Sequence, residues 1–286
     1  MNFMESTFYQ GIIFGLASAF TLGSYLAPLK KAKEVEPYQF QLLMAIAILI
    51  SGILITLIAQ FPFRFSWFGI ATGVLWAIAN VFSLTAIQNL GLSKANPLWM
   101  SVAVLVAYLW GAIYFREIGN IVLGFVSIII LILGVILVSL AKQSKAHNVA
   151  KGLLFTFLAA LFWGTQLVPL KLSQLSAQEF FFSNSMGVFL TGCIIYLFNF
   201  KGFVFKNVGL SLLSGVIWNL GNLLALFSVV FLGVAKGYTL TQVGVLIAVS
   251  WGLFVFKEYR GKQNLLRIFV GAILVLSGAA LLILTK

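Results

Sequence analysis

Aspartate is absent from the 286 residues, and cysteine and histidine occur once each, as Cys193 and His147. A single cysteine excludes an intramolecular disulfide and a cysteine-based metal cluster. Set in an apolar stretch, it reads as a small buried hydrophobe. His147 lies in a polar link between Lys142 and Lys151, without partners for metal ligation or general-base chemistry. Only 8% of the chain is charged, against about 25% in soluble domains. The acids number six: Glu5, Glu34, Glu36, Glu117, Glu179 and Glu258. Neither G-x-G-x-x-G nor G-x-x-x-x-G-K-[ST] occurs, so no phosphate cradle is indicated. No enzyme activity, metal or cofactor is expected. Residues Met1 to Gln10 carry Glu5 and no Lys or Arg, the wrong flank for a cleaved signal peptide, so the first apolar segment is expected to stay in the membrane.

What the sequence has in excess is apolar surface. The AVILMFWYC share is 62%, against roughly 45–50% in soluble proteins, more than a compact globule can hide. An all-α integral membrane protein follows. The net charge of +12 comes from 18 Lys and Arg, scattered in ones and twos between apolar stretches. That spacing excludes a nucleic-acid partner and suits a topology signal.

Gly, Pro and charge punctuation predicts ten transmembrane helices: 9–29, 38–60, 66–88, 95–115, 118–141, 150–170, 178–200, 207–230, 236–256 and 265–285. Alternation then puts Lys30, Lys31, Lys33, Lys94, Lys142, Lys145, Lys151, Lys201, Lys206, Lys257, Arg260, Lys262 and Arg267 on one side. Arg64, Arg116, Lys171, Lys236 and Lys286 fall on the other. Positive residues favour the cytoplasm. The chain is therefore expected to be a multi-pass protein of the cell (plasma or inner) membrane with both termini outside.

The chain repeats itself. The stretch Ala19–Lys30 (AFTLGSYLAPLK) returns as Ala160–Lys171 (ALFWGTQLVPLK), and Gly73–Asn80 (GVLWAIAN) as Gly215–Asn222 (GVIWNLGN). Leu90-Gly91 to Lys94 matches Leu232-Gly233 to Lys236, and Trp110-Gly111 to Glu117 matches Trp251-Gly252 to Glu258. The halves, 1–145 and 146–286, each hold five predicted spans. An odd number makes the second half start on the opposite side, giving two inverted five-helix repeats with a binding site at their interface.

No predicted span carries an acid or base in its middle third, which favours a neutral or zwitterionic solute over buried proton relays. The spans offer indoles, amides and hydroxyls instead, groups that hydrogen-bond sugar hydroxyls and stack on sugar rings. Trp76 and Asn80 lie i, i+4, as do Trp218 and Asn222, while Trp163 and Gln166 lie i, i+3, so each pair shares a helix face. Thr241 and Gln242 follow Gly237 in span 9, and Tyr25 occupies the repeat position of Gln166. These nine residues are the candidate substrate contacts. For Asn80, Asn222, Gln166 and Gln242 a second reading stands beside the first, an interhelical hydrogen bond. Trp67, Trp99 and Trp110 read as interfacial anchors or lipid-facing filler. Glu117 and Glu258 read first as solvated helix-end pairs and second as gate residues; Lys94 and Lys236 read as snorkelling anchors or gate residues. Pro28 and Pro169 fit hinges or ordinary helix ends. Gly11-x-x-x-Gly15 and Gly69-x-x-x-Gly73 fit close helix packing.

These blocks resemble the EamA-like drug/metabolite transporter superfamily and, within it, the glucose/ribose porter family. The most specific match runs from Gly215-Val-Ile-Trp218 to Asn222, through Gly233 to Gly244 with Tyr238 and Gln242, to Trp251-Gly252 and Glu258. The resemblance implies a ten-helix inverted bundle that moves sugars with a proton, with Trp218, Asn222 and Gln242 near the substrate path. This chain departs from it in Asn80 and in having no acid inside a span. The leading expectation is alternating-access uptake of a monosaccharide such as glucose or ribose. The alternatives are an exporter of amino acids, drugs or other metabolites, and a non-transporting membrane scaffold or membrane-embedded enzyme.

Overall fold

The computed structural model describes residues 3–28, 36–90, 92–140, 148–256 and 261–285. Of the residues singled out above, Lys30, Lys31, Lys33, Glu34, Gly91, Lys142, Lys145, His147, Lys257, Glu258, Arg260 and Lys286 lie outside that set, as do the side chains of Glu5 and Lys94. The protein is 85% helical, with no strand among the described residues. The helices are α1 (Phe3–Ser24), α2 (Pro37–Ile58), α3 (Trp67–Leu90), α4 (Leu92–Leu109), α5 (Ile121–Ser139), α6 (Val149–Thr165), α7 (Val168–Ser173), α8 (Ala177–Phe198), α9 (Val208–Gln242), α10 (Gly244–Ser250) and α11 (Lys262–Leu284). Two π turns, Trp110–Tyr114 and Trp251–Val255, extend α4 and α10.

Among the described residues seven helical runs are long and apolar enough to cross a membrane. One of them, Val208–Val255, is 48 residues long and covers predicted spans 8 and 9 except for one residue at either end. The division between those two falls at Gly233, whose φ of 84° and ψ of 171° interrupt α9. Glycine reaches that backbone region without a Cβ clash. Predicted span 6 is also broken, at Gln166-Leu167, and Pro169 sits in the first turn of α7, where its missing N–H has no helical partner to lose.

Helix starts follow from local chemistry. Glu36 accepts from the N–H groups of Tyr38 and Gln39, Asn120 from Leu123, and Asn148 from Lys151. Ser176 and Glu179 form a reciprocal capping box at the head of α8. Each cap satisfies N–H groups that a helix leaves without internal partners.

The packing is paired. α1 lies against α9 as α6 lies against α3; α2 meets α9 as α3 meets α8; α5 and α11 pack together at one side. Small residues set these approaches. Gly11 and Gly15 seat against Leu232 and Ser228 of α9, and Gly69 and Gly73 against Ser183 and Asn184 of α8. A Cβ on Gly73 would lie 2.5 Å from the Asn184 carbonyl oxygen and 2.7 Å from the Gly187 carbonyl carbon. Backbone cannot step aside as a flexible side chain can, so the helices must part. Gly73→Leu is expected to cost about 1–3 kcal/mol, seen as a lower melting temperature in detergent; an unchanged melt would contradict this contact.

Candidate functional site

A cavity of about 160 Å³ lies where the end of α1 meets α3, α4, α6, α9 and α10. Its wall holds four indoles, Trp76, Trp99, Trp163 and Trp218, with Tyr25 and Tyr238. Trp76 and Trp218 tilt against each other with ring centroids 4.2 Å apart. Trp99 meets Trp163 edge-on at 5.2 Å. Gln166, Thr241 and Gln242 supply the remaining polar groups, and no charged side chain lines the cavity among the described residues.

The polar groups differ in how free they are. Thr241 donates to the Tyr238 carbonyl at 2.7 Å and accepts from Gln242 Nε2 at 3.0 Å, leaving the Gln242 carbonyl oxygen over. The side chains of Tyr25, Gln166 and Tyr238 have no hydrogen-bond partner among the described residues. A solute bearing hydroxyls would meet donors and acceptors that the fold has not consumed, between aromatic faces that exclude water.

Of the nine candidate contacts, Tyr25, Trp76, Trp163, Gln166, Trp218, Thr241 and Gln242 face this one cavity; Asn80 and Asn222 do not. Each asparagine sits one turn beyond its tryptophan and donates to another buried amide. Asn80 Nδ2 donates to Gln41 Oε1 of α2, and Asn222 Nδ2 to Asn184 Oδ1 of α8 at 2.6 Å. The interhelical hydrogen bond is thus the arrangement found for both. Trp76 and Asn80 share a face of α3, but only the turn carrying Trp76 looks into the cavity.

Trp99 and Tyr238 also line the cavity, although neither is among those nine. Trp99 is 6% exposed and so is neither anchor nor filler, whereas Trp67, at 76%, faces outward as expected. The signal for Trp99 is the buried row Ala95, Ala103 and Ala107 at four-residue spacing around it. For Tyr238 it is the spacing to Thr241 and Gln242, one helix face. Trp110 is held too: its Nε1 donates to Thr165 Oγ1 at 3.1 Å. Trp251 Nε1 donates to Ser24 Oγ at 2.9 Å. Thr165 and Ser24 immediately precede Gln166 and Tyr25, so each π turn is tied to the residue next to a cavity group.

The charged residues correct two further expectations. Glu117 is not solvated: its side chain is 10% exposed and lies 3.1 Å from Lys171 Nζ. Lys236 is 9% exposed and donates to the Thr285 carbonyl, so it is packed rather than snorkelling.

The profile of the family described as sugar transport protein matches residues 13–285. The chain belongs to this sugar transport protein family. It is accordingly a multi-pass membrane transport protein and not an enzyme. Among relatives of this sugar transport protein, the glucose uptake protein GlcU of Bacillus subtilis (strain 168) is 29% identical over 262 residues, covering 87% of this chain and 90% of the relative. A Lactiplantibacillus plantarum protein named for sugar uptake is 27% identical over 225 residues, covering 76% and 79%. A crystal structure aligns with TM-score 0.75 over 95% of each chain at 14% identity, a likeness of fold alone.

Proposed function

We propose that this sugar transport protein takes up a single neutral monosaccharide, such as glucose or ribose, through the indole-lined cavity by alternating access. The observation that carries this is the cavity's chemistry: four indoles, free hydroxyl and amide groups, no charge, and a volume of about 160 Å³. That is below the roughly 300–1,000 Å³ of drug-sized sites. The names of the Bacillus and Lactiplantibacillus relatives point the same way. Tyr25, Trp76, Trp163, Gln166, Trp218, Thr241 and Gln242 contact the sugar in this reading, with Trp99 and Tyr238 added. Asn80 and Asn222, one turn along from Trp76 and Trp218, tie their helices to α2 and α8 instead.

The moving parts are two inverted five-helix halves, 1–145 and 146–286, crossing the membrane ten times. The paired packing supports this, as do the amide pairs Asn80–Gln41 and Asn222–Asn184 and the indole bonds Trp110–Thr165 and Trp251–Ser24, which recur at repeat-related positions. Contacts between helix ends join residues assigned to one side: Arg64 with Glu179, Lys171 with Glu117, Arg267 with Leu140. In this reading the Lys151 side, which holds the excess of cations, faces the cytoplasm and both termini lie outside, as the preference of positive residues for the cytoplasm favours.

Uptake of labelled monosaccharides into vesicles tests the reading. Saturable uptake of at least one sugar is expected, with Gln242→Ala weakening it roughly tenfold through one lost hydrogen bond. Saturable uptake of none would sink the proposal. Imposing a proton gradient on the same vesicles tests the proton symport that the family resemblance implies.

A further inference from the structure

Beyond the cavity, Glu117 occupies a position that anchoring the end of α4 does not require. The π turn Trp110–Tyr114 ends the helix, Arg116 takes a positive φ of 54°, and Glu117 N donates to the Gly111 carbonyl at 2.8 Å. This sharp turn leaves Arg116 exposed and drives the carboxylate inward. There it lies against two glycines. A Cβ at Gly233 would fall 2.5 Å from Glu117 Oε2, and one at Gly111 would fall 2.8 Å from the same oxygen. Among the described residues the carboxylate bridges two elements: it pairs with Lys171 Nζ of α7 at 3.1 Å from Oε1 and accepts from the Ala235 N–H at 3.3 Å from Oε2, and the Lys236 ammonium, next to Ala235, is close enough to feel its charge. Ala235 opens the second part of α9, just past the Gly233 break, where N–H groups have no helical partner.

These two partners lead directly to the cavity. From Ala235, Tyr238 is about one turn along the helix, and Thr241 and Gln242 about two turns. From Lys171, Gln166 lies five residues back, across the break between α6 and α7. One carboxylate therefore joins the segment carrying Tyr238, Thr241 and Gln242 to the segment carrying Gln166, beyond the cavity on one end of the bundle. Lys236, bonded to the Thr285 carbonyl, fixes the first of these segments to the end of α11.

We propose that Glu117 is the latch of that end of the transport path. Bound to Lys171 and Ala235 it holds the two cavity-lining segments together, and its release lets them part and opens the cavity to that face. The assignment rests on the cavity being the transport site. The chemistry suits a contact that holds one state and releases in another: the Lys171 side chain is 38% exposed, so water can replace the carboxylate at the ammonium, whereas the Glu117 side chain, 10% exposed, is hydrated only once the two segments part, so the pair opens together with the entry of water to that face. Glu117 acts on the sugar through other residues and is a positioning residue.

The test reads accessibility rather than sugar. Met100 also lines the cavity; in full-length Cys193→Ser protein carrying Met100→Cys as a reporter there, reconstituted in vesicles of one orientation, labelling by a membrane-impermeant maleimide is timed from each face. Glu117→Gln, which keeps the shape and removes the charge, is expected to raise labelling from the Glu117 face roughly tenfold and to lower it from the opposite face, as a population shift requires. Lys171→Met is expected to do the same. The double variant should go no further than either single one, because both remove one interaction. Arg116→Gln, which changes the exposed neighbouring cation, should leave both rates unaltered. Should Lys171→Met fail to fold, Glu117→Gln and Lys171→Gln carry the same comparison. Unaltered labelling in a cooperatively melting Glu117→Gln protein overturns the latch, as does a double effect equal to the product of the singles. Sugar uptake stays outside the readout: its absence would overturn the cargo assigned above and leave the labelling result standing.

Discussion

Gly23→Ala and Gly164→Ala should each reduce uptake at least about tenfold, although one methyl group is all that is added. Gly23 lies at the end of α1 where it crosses α10, and an added Cβ would run into the Gly244 carbonyl oxygen and lie 2.6 Å from Ile247 Cβ. Gly164, 141 residues later, meets α4 in the same way: its Cβ would lie 2.6 Å from both the Ala103 carbonyl oxygen and Val106 Cβ. A backbone carbonyl has no rotamer by which to yield, so the helix pair must separate, at a cost of about 1–3 kcal/mol. The functional loss exceeds the stability loss because each glycine sits two residues before a cavity group. Tyr25 comes after Gly23 and Gln166 after Gly164, both facing the cavity, and a misplacement of about 1 Å in a positioned group can cost roughly a hundredfold. Gly209→Ala is the control. It sits in the first turn of α9 with nothing within 4 Å of its Cβ, and alanine there should be neutral or slightly stabilising. Uptake normalised to folded protein in the membrane decides the matter; wild-type rates in Gly23→Ala would show that α1 and α10 are not held at the distance described.

The same two cavity residues show how much of the site is legible in one dimension. Tyr25 and Gln166 stand out because they occupy one repeat position beside Gly23 and Gly164, and the structure brings both to a single cavity. The helical, membrane-spanning character follows from hydropathy, which divides the chain into ten segments where the structure has seven long apolar runs among the described residues, one of them holding two predicted spans. The amides show where one-dimensional reasoning stops. Asn80 shares a helix face with Trp76, but a face is longer than a cavity, and which turn is covered depends on a neighbour far away in sequence: Gln41 on α2 for Asn80, Asn184 on α8 for Asn222. Beside Arg116, Glu117 reads as solvated. Its true partner, Lys171, comes from the other half of the chain, and the positive φ at Arg116 that turns it inward leaves no mark in composition. The break at Gly233 is equally hidden, since glycine in an apolar helix serves close packing as often as it ends a helix.

That distinction between cavity and backing residues gives the sharpest functional contrast. Gln166→Leu is expected to raise the KM for sugar about 10–100-fold with Vmax little changed, because a sugar hydroxyl would then be buried without its partner, at about 1–3 kcal/mol. Tyr238→Phe should act in the same direction and less strongly, since the ring remains to pack against the solute and only the hydroxyl is lost. Asn222→Leu should do the reverse. It removes the donor to Asn184 Oδ1, and Asn184 Nδ2 is already a buried group without a partner, so the variant leaves a second amide atom unmatched. Its effect should appear as a loss of about 1–3 kcal/mol of stability, read as a lower melting temperature, with KM within about twofold of wild type. The physical reason is position: Asn222 lies one helical turn from Trp218, is bonded to Asn184 of α8 and is not among the residues that line the cavity. Kinetics in vesicles and thermal melts of the same preparations separate the two classes. A larger KM change in Asn222→Leu than in Gln166→Leu would return the asparagine to the cavity and remove the glutamine from it.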